Sequence, residues 1–538
     1  MTEGRRMNQT EVKRRQLGAF ADILMFVTIY VMGRLTGDKG IAYTAVAAQS
    51  CAVIWIAVSG SLSDALGRLL RGRKNKGQYK NMAKMRSSIL LFQMILGAVG
   101  SLVLAGLSGV LADRIFRIPY SGLILLALAP VVLLRTVSAV LAGYFQGEGS
   151  ESPRAIAGIL RQVFLLGFGS LFSHMLGGYG EKVSSLLRQE NFTGMYSGLG
   201  IALAIDISEL FVILFLGLIY KGSRRFEKKA KQEGMYSTMS LWDGVRYVHS
   251  ARWPQFATDL CLFFPLVAGL LFCGMKGEGG EQLTADYGQY AGNYLVVCGI
   301  AAGLVIIVAL PVLGKIFQCF KREENRYART VFQNGVHIGL VHGIFLSVFV
   351  AVMGEQFADL LCQGNEHTVT KLLQWGSAMI LLTALGWYFC RLLQALGKKY
   401  PVLIAACGAD LLFIIIVMIT IGKSGILSLV YGGLAFGFVL CALSGAFAYR
   451  QLRVQPDWLN TFVVPLGGGV GAGLICLMIR KLFSPHLGSF TTLIVAFAAA
   501  GLVYWTALLL LRNFREQELE VIPGGRLIGI LGQMLRVF

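Results

Sequence analysis

Fourteen apolar runs, each about 20 residues long, constrain the fold of this chain more than any other feature. A run of that length crosses a bilayer as a helix, because a helix satisfies its own backbone hydrogen bonds in lipid. With a mean hydropathy of +0.64 and only 14% charged residues, the chain is also too apolar for a soluble protein. We therefore predict an all-α polytopic membrane protein with about 14 transmembrane helices. The runs lie near residues 18–36, 41–63, 87–112, 120–143, 155–176, 196–220, 253–275, 290–314, 330–353, 373–396, 401–421, 427–449, 460–482 and 489–511.

An internal repeat divides the chain into two similar parts. Five residues of the first copy recur 248 positions later: Gln146, Gly149, Pro153, Ile156 and Ala157 as Gln394, Gly397, Pro401, Ile404 and Ala405. Repeats of this kind are typical of secondary transporters, whose two lobes share one orientation when each has six helices. We predict two pseudo-symmetric six-helix lobes and two extra carboxyl-terminal helices. The boundaries are a cytoplasmic tail over 1–17, lobes over 18–220 and 253–449, a basic cytoplasmic linker over 221–252, the extra helices over 460–511 and a cytoplasmic tail over 512–538.

Basic residues are concentrated in connections that all fall on one side of the predicted membrane topology. The segment Arg68–Arg86 has eight basic and no acidic residues, and Lys221–Arg252 and Lys315–Arg329 are also rich in lysine and arginine. Such segments face the cytoplasm by the positive-inside rule, which places both termini there. The net charge of +20 therefore predicts a membrane orientation and not a nucleic-acid partner.

Three arginines within the spans are candidate substrate-binding residues, because a charge inside a bilayer is costly and needs a reason. Arg135, Arg161 and Arg391 each lie roughly five to eight residues from a cytoplasmic helix end, hence about 8–12 Å deep. A guanidinium suits a phosphate or pyrophosphate, since its planar fork binds two oxygens at once. The alternative is snorkelling, or pairing with an acid such as Asp22 or Asp259.

Four acids within the spans are predicted to couple transport to an ion: Asp206, Glu209, Asp259 and Asp410. Asp206 and Glu209 lie three residues apart, so they share a helix face near mid-membrane. Two close carboxylates cannot both ionise cheaply in a low dielectric, so they would hold a proton or bind a cation such as Na⁺. The alternative is that these acids pack between helices in a protonated or hydrogen-bonded form.

No enzymatic activity is predicted, and neither a catalytic residue nor a protein-bound metal. A membrane-embedded transferase would need an acid or histidine dyad at the membrane edge, ideally with an aqueous catalytic loop. The longest loop, Lys221–Arg252, is basic and lacks such a dyad. The predicted cofactor is therefore none, apart from a coupling Na⁺ or H⁺.

Several motifs spread over the chain carry a family resemblance. They are Gly143-Tyr144-Phe145-Gln146-Gly147 with Pro153 and Arg161-Gln162, Arg34–Gly40, Gly77-Gln78-Tyr79 and Glu518–Gly525. At these motifs the chain resembles bacterial exporters of the multidrug/oligosaccharidyl-lipid/polysaccharide (MOP) superfamily. The nearest branch is that of stage V sporulation protein B and the MurJ-like flippases.

The resemblance implies fourteen helices, alternating access and a polyprenyl-linked saccharide as substrate. It adds Gln146, Gln162 and Asp22 to the predicted substrate-binding residues. In helix one, Asp22 and Ile29 occupy positions that are usually basic in the lipid II flippases, and the common Glu-Gln of helix five is Arg161-Gln162 here. The charge of the cavity is therefore predicted to be rearranged, and the exact saccharide stays open.

Two functions follow from these residues and the resemblance. The leading hypothesis is a flippase for a polyprenyl-(pyro)phosphate-linked saccharide, in which the three arginines contact the phosphate. The alternative is a proton- or sodium-coupled antiporter of organic cations, in which Asp22 and Asp206 bind the substrate or the proton. In either case we predict a multi-pass monomer in a bacterial cytoplasmic membrane. Polysaccharide-synthesis enzymes are predicted partners at the cytoplasmic face.

Overall fold

The computed structural model describes residues 2–222, 240–275, 280–362, 366–455, 457–483 and 487–513, and all regular structure in these ranges is helical. Most of the predicted linker and carboxyl-terminal tail, including Glu518–Gly525, lies outside the described residues. The α-helices are α1 (Thr2–Ser59), α2 (Leu62–Asn75), α3 (Tyr79–Val110), α4 (Gly122–Leu128), α5 (Pro130–Glu148), α6 (Ser152–Leu187), α7 (Asn191–Gly222), α8 (Leu241–Met275), α9 (Gly280–Gln289), α10 (Leu295–Lys321), α11 (Asn325–Val352), α12 (Gly354–Leu361), α13 (Glu366–Gly376), α14 (Met379–Ala395), α15 (Lys399–Ser424), α16 (Leu427–Leu452), α17 (Val464–Phe483) and α18 (Ser489–Leu510).

The helices confirm an all-α polytopic membrane protein. Within the described residues, twelve helices are long and apolar enough to cross a membrane, or thirteen if the bent pair α13–α14 forms one span. The first of them, Gln16–Asn75, contains two of the predicted runs, because α1 continues through a kink at Gly37. Gly37 has a φ of 70°, a conformation that favours glycine. Every predicted run thus falls on a helix of this set.

The chain forms two compact units. The amino-terminal unit is Lys13–Gly292, and the carboxyl-terminal unit is Asn293–Phe538 with Met1–Val12. The amino-terminal unit includes α8 and α9, and α8 packs against α2 and α3. The compact unit therefore extends beyond residue 220, where the predicted first lobe ends. The division of the chain into two six-helix lobes stays a prediction.

The first motif of the family resemblance, Gly143–Gly147, lies where α2 packs on α5. A Cβ added to Gly143 would lie 2.9 Å from the backbone oxygen of Ser63, and one added to Gly147 would lie 2.5 Å from Cβ of Leu70. Both glycines are needed for this approach, because real Cβ atoms do not make such short contacts. The apolar face of α2 is buried there, and it includes Leu62, Ala65, Leu66 and Leu70.

The repeated residues build the same turn twice. Gly149 follows α5 with a φ of 93°, and Gly397 follows α14 with a φ of 78°. In both turns the glycine N–H donates to the carbonyl three residues earlier, at 3.0 and 3.1 Å, and the next N–H donates to the carbonyl five residues earlier, at 3.0 and 2.9 Å. This is a Schellman-type helix end in each copy. The repeat therefore records one helix–turn–helix structure present in both units.

The last two helices pack on the carboxyl-terminal unit through α11. Gly468 of α17 lies against the ring of Tyr504 on α18, and Gly469 lies against Ile344 on α11. The hydroxyl of Tyr504 donates a hydrogen bond of 2.8 Å to the carbonyl of Val341. The glycine-rich start of α17 is thus a close-packing face.

Candidate functional site

A buried carboxylate on α7 organises the charged centre of the amino-terminal unit. Glu209 is fully buried, and its Oε1 accepts from Nε of Arg135 at 3.1 Å and from Nε of Arg161 at 2.9 Å. Nη2 of Arg161 also donates to Oε2 at 3.1 Å, so Arg161 binds Glu209 through two parallel bonds. The alternative of arginine–acid pairing is therefore realised, but with Glu209 as the acid.

Asp206 lies one helical turn from Glu209 and belongs to the same charged group. Arg135 and Glu209 are both close enough to interact with it electrostatically. Its Oδ1 is buried and makes no hydrogen bond within the described residues. We call Arg135, Arg161, Asp206 and Glu209 the Glu209 cluster. Asp206 and Glu209 were predicted to share one helix face. Arg135 on α5 and Arg161 on α6 lie against that face.

The Glu209 cluster lies deep within the spans. Glu209 is 13 residues from the end of α7 at Gly222, which corresponds to about 20 Å along the helix. At this depth the two arginines and the two acids stabilise one another's charges, because an isolated charge there would be neutralised or expelled. With both acids ionised, the four formal charges sum to zero.

An aromatic side chain on α1 completes this site. The guanidinium of Arg135 lies 5.4 Å from the ring centroid of Trp55, a cation–π contact. Cys51, one turn earlier, is within electrostatic reach of Arg135 and Asp206. Helices α1, α5, α6 and α7 therefore all contribute to one site. Trp55 was not predicted, since its position in an apolar run gave no sign of its neighbours.

Both arginines of the cluster keep part of their surface accessible. The side chain of Arg135 is 31% exposed and that of Arg161 is 28% exposed, whereas Glu209 is inaccessible. A guanidinium has five N–H donors, and Glu209 uses one from Arg135 and two from Arg161. The remaining donors allow each arginine to contact a further acceptor without first losing Glu209.

Gln146 and Asp22 belong to a different polar group near the α5–α6 turn. Nε2 of Gln146 donates to Oδ1 of Asp64 at 3.1 Å, and Nη1 of Arg154 donates to the same oxygen at 2.6 Å. Asp22 on α1 is exposed and within electrostatic reach of Arg154. Asp64 and Arg154 were missed by the sequence analysis, because both lie outside the apolar runs to which the search for charges was confined.

Gln162 follows Arg161 on α6 and is buried. Its Oε1 accepts no hydrogen bond within the described residues. Of this dipeptide, Arg161 is the residue that binds Glu209. The repeat offset of 248 relates Gln162 to Asp410, so the two copies carry an amide and an acid at this position.

Asp259 lies at the corner between α1 and α2. It accepts a hydrogen bond from the hydroxyl of Ser61, which occupies the corner with a φ of 56°. Arg252, the last residue of the predicted linker, is within electrostatic reach of Asp259. The structure therefore gives Asp259 partners outside the Glu209 cluster, namely Ser61 and Arg252.

Arg391 and Asp410 lie in the carboxyl-terminal unit. Arg391 on α14 is exposed, and its guanidinium lies 5.8 Å from the ring centroid of Trp387. Asp410 on α15 is half-buried. At the positions that the repeat offset relates to Arg135 and Arg161, this unit has Thr383 and Ala409. The two arginines are therefore particular to the first copy.

Comparison with known proteins supports the family resemblance over nearly the whole chain. No family model matches the sequence. Stage V sporulation protein B of Bacillus subtilis (strain 168) is 21% identical over 526 residues, which cover 95% of this chain and 96% of the relative. The lipid II flippase MurJ in an inward closed conformation superposes with a TM-score of 0.63 at 14% identity, over 93% of this chain and 97% of that chain.

A multidrug resistance transporter of the MATE family in its inward-facing conformation is also similar. Its TM-score is 0.60 at 14% identity, over 81% of this chain and 94% of that chain, and it is described as a member of the MOP superfamily. The chain has the MOP superfamily fold. The predicted resemblance to this superfamily is thereby confirmed, and the apolar helices show a multi-pass membrane protein.

Proposed function

We propose that this MOP-fold protein is an alternating-access flippase for a polyprenyl-(pyro)phosphate-linked saccharide in a bacterial cytoplasmic membrane. The observation that carries the proposal is the pair Arg135 and Arg161, two partly exposed guanidinium groups held on one buried carboxylate inside the spans. Fixed guanidinium groups with unused donors suit a phosphate, which offers several acceptor oxygens and at least one negative charge. The whole-length structural similarity to the lipid II flippase MurJ supports the same function.

Glu209 acts in this proposal as an internal substitute for the substrate phosphate. It keeps both arginines oriented when no substrate is bound, and the phosphate first binds their unused donors and then competes with Glu209 for the others. As the arginines turn toward the phosphate, Glu209 loses their charge compensation. Asp206, one turn away, supplies a second carboxylate, so the two acids together can take up the coupling cation. Substrate binding and cation uptake are thereby coupled.

The antiporter of organic cations remains the second candidate, because Asp206 and Trp55 favour it. The buried Oδ1 of Asp206 makes no hydrogen bond within the described residues, so it could accept from a cationic substrate. An indole face binds quaternary ammonium groups by cation–π attraction. In that case the arginines would serve only to hold Glu209. Asp22 would then act with Asp206 as predicted.

The test is a reconstituted assay that measures inward-to-outward movement of a fluorescent undecaprenyl-pyrophosphate saccharide in proteoliposomes. The variant Arg161→Met lacks the guanidinium that makes two parallel bonds to Glu209 and that is proposed to contact the phosphate. We expect the flipping rate to fall by about tenfold or more, because a lost charge-assisted contact costs at least about 1.4 kcal/mol. Export of a quaternary ammonium dye by the same protein would instead support the antiporter.

Two further variants separate substrate binding from the structural role of Arg161. The double variant R161M/E209M removes both partners of the buried pair, so it should recover the melting temperature that R161M loses. Flipping should stay lost in the double variant, because the guanidinium is still absent. Lys182→Met removes one positive charge from an exposed position of the same helix and should flip normally. Restored flipping in R161M/E209M would refute a substrate-binding role for Arg161.

A further inference from the structure

The group that the two arginines hold in the Glu209 cluster is a single carboxylate. Nε of Arg135 and Nε of Arg161 both donate to Oε1 of Glu209, at 3.1 and 2.9 Å. Nη2 of Arg161 donates to Oε2 at 3.1 Å. Two guanidinium groups from two helices therefore converge on one carbon atom that carries two oxygens and one negative charge.

A single phosphodiester has the same features as the carboxylate of Glu209. It carries one negative charge on two free oxygens of one phosphorus atom. A pyrophosphate that links a lipid to a sugar carries two negative charges, on four free oxygens of two phosphorus atoms. Because Arg135 and Arg161 bond to the same oxygen of Glu209, their guanidinium groups form one binding fork and not two separate ones. This fork suits one phosphoryl group.

Asp206 contributes a negative charge that the arginines do not need for their orientation. Both oxygens of Glu209 accept from guanidinium groups, whereas the buried Oδ1 of Asp206 makes no hydrogen bond within the described residues. Asp206 interacts electrostatically with Arg135 and with Glu209. It therefore lowers the positive charge of the site without holding the arginines in place.

The side of the cluster that faces α1 offers no further positive charge. The ring of Trp55 lies over the guanidinium of Arg135, with its centroid 5.4 Å from Cζ. The thiol of Cys51 is within electrostatic reach of Arg135 and Asp206. An indole and a thiol do not compensate a second phosphate charge. Helix α1 thus encloses the fork without enlarging its charge.

The charge balance of the cluster favours a substrate with one negative charge. Within the described residues, the cations that contact or face Asp206 and Glu209 are Arg135 and Arg161. With both acids ionised the four charges sum to zero, so a bound phosphodiester leaves one net negative charge and a bound pyrophosphate leaves two. Each uncompensated charge is costly inside a membrane, where the dielectric is low.

We propose that the Glu209 cluster selects a polyprenyl lipid whose saccharide is attached through a single phosphodiester, and that the ionised carboxylate of Asp206 rejects the pyrophosphate form. The inference rests on the proposed flippase function and narrows its substrate class. Glu209 marks the place of the one phosphoryl group that the arginines bind. Asp206 is then a specificity-determining residue, because its charge repels a second phosphoryl group.

The experiment compares three lipids that carry the same sugar: glucose on undecaprenyl phosphate, glucose on undecaprenyl pyrophosphate and glucose on undecaprenol. Native mass spectrometry measures their affinities for the full-length protein in detergent. We expect the monophosphate lipid to bind about tenfold or more tightly than the pyrophosphate lipid, because the latter brings one more uncompensated charge. This comparison needs no variant to fold.

The three affinities separate the failure of this inference from the failure of the proposed function. Equal or tighter binding of the pyrophosphate lipid would overturn the inference and leave the flippase function standing. If neither charged lipid binds more tightly than the undecaprenol glycoside, the phosphate site itself is refuted, and the inference falls with it.

One variant tests the role assigned to Asp206. Asp206→Asn removes the charge but keeps the size of the side chain, and both arginines stay on Glu209. It should raise the affinity for the pyrophosphate lipid about tenfold more than that for the monophosphate lipid, and its melting temperature shows that it folds. Glu181→Gln is the matched control, since it removes one negative charge from an exposed position on α6. An unchanged affinity ratio in D206N, or the same change in E181Q, would refute the role of Asp206.

Discussion

Arg252 shows how a single residue can hold the corner between α1 and α2. It is 4% exposed, and its Nη1 and Nη2 donate to the carbonyls of Val58 and Ala57 at 2.7 and 2.6 Å. These carbonyls belong to the last turn of α1, which has no helical partners for them and carries the negative end of the helix dipole. A buried guanidinium thus satisfies two backbone acceptors and gains partial charge compensation from them.

We predict that Arg252→Met lowers stability by about 2–3 kcal/mol, because it leaves two buried carbonyls without donors. The measurement is thermal unfolding in detergent, followed by the loss of monodisperse protein. Arg252→Lys should recover part of the loss, since an ammonium can reach one carbonyl but lacks the fork that reaches two. Arg246→Met, on the exposed side of the same helix, should change the melting temperature little. A similar loss in R246M would show that charge alone stabilises α8.

At the scale of elements, the docking of α2 on α5 joins a short helix rich in basic residues to a membrane span. The apolar face of α2 packs at Gly143 and Gly147. On its other side, Arg71 Nη2 and Lys74 Nζ donate at 2.8 and 2.7 Å to the last carbonyls of α5. The basic residues of α2 therefore act as capping donors, in addition to the membrane orientation predicted from their charge.

We predict that Gly143→Leu undocks α2, because a side chain at this position would overlap the backbone of Ser63. Overpacking of this kind costs about 1–3 kcal/mol. A cysteine placed at the buried Leu66 would then react with a soluble maleimide about tenfold faster, since 1.4 kcal/mol of lost docking is a factor of ten in opening. Gly72→Ala is the control, because nothing lies within 4 Å of its added Cβ. Equal reactivity in G143L and the parent would contradict the close approach.

The apolar runs could be located from the sequence because a span must be continuous and about 20 residues long. The continuation of α1 through a kink at Gly37 could not be predicted, since the two flanking apolar runs look like two separate helices. The pairing of Arg161 with Glu209 was also missed, because hydropathy fixes which residues are in a helix but not the rotation that faces one helix to another. The i, i+3 spacing of Asp206 and Glu209 was informative because it concerns one helix only.

At the scale of the whole molecule, the repeat is conserved in backbone form but not in charge. Both copies end a helix with the same turn at Gly149 and Gly397. The arginines that bind Glu209 have Thr383 and Ala409 at the related positions of the second copy. The repeat therefore supplies the same backbone structure in both units, whereas the two arginines of the charged site occur in the first copy only.

We predict that the basic segments lie in the cytoplasm and the loop around residue 189 lies outside. Lys76→Cys and Gln189→Cys place thiols at exposed positions on opposite sides of the predicted topology. In intact cells a membrane-impermeant maleimide should label Q189C and should label K76C only after permeabilisation, with the unsubstituted protein as background. Labelling of K76C in intact cells would invert the predicted topology.

The balanced charges of the Glu209 cluster also determine how membrane voltage acts on the protein. With both acids ionised, an empty site of two guanidinium and two carboxylate groups has no net charge, so the transmembrane field does not bias its reorientation. In the proposed flippase, an anionic lipid bound there adds net negative charge, on which the field acts with about 2.3 kcal/mol per charge per 100 mV. We therefore expect that, in a cell with a negative interior, voltage drives the loaded carrier outward and lets the empty carrier return without electrical work.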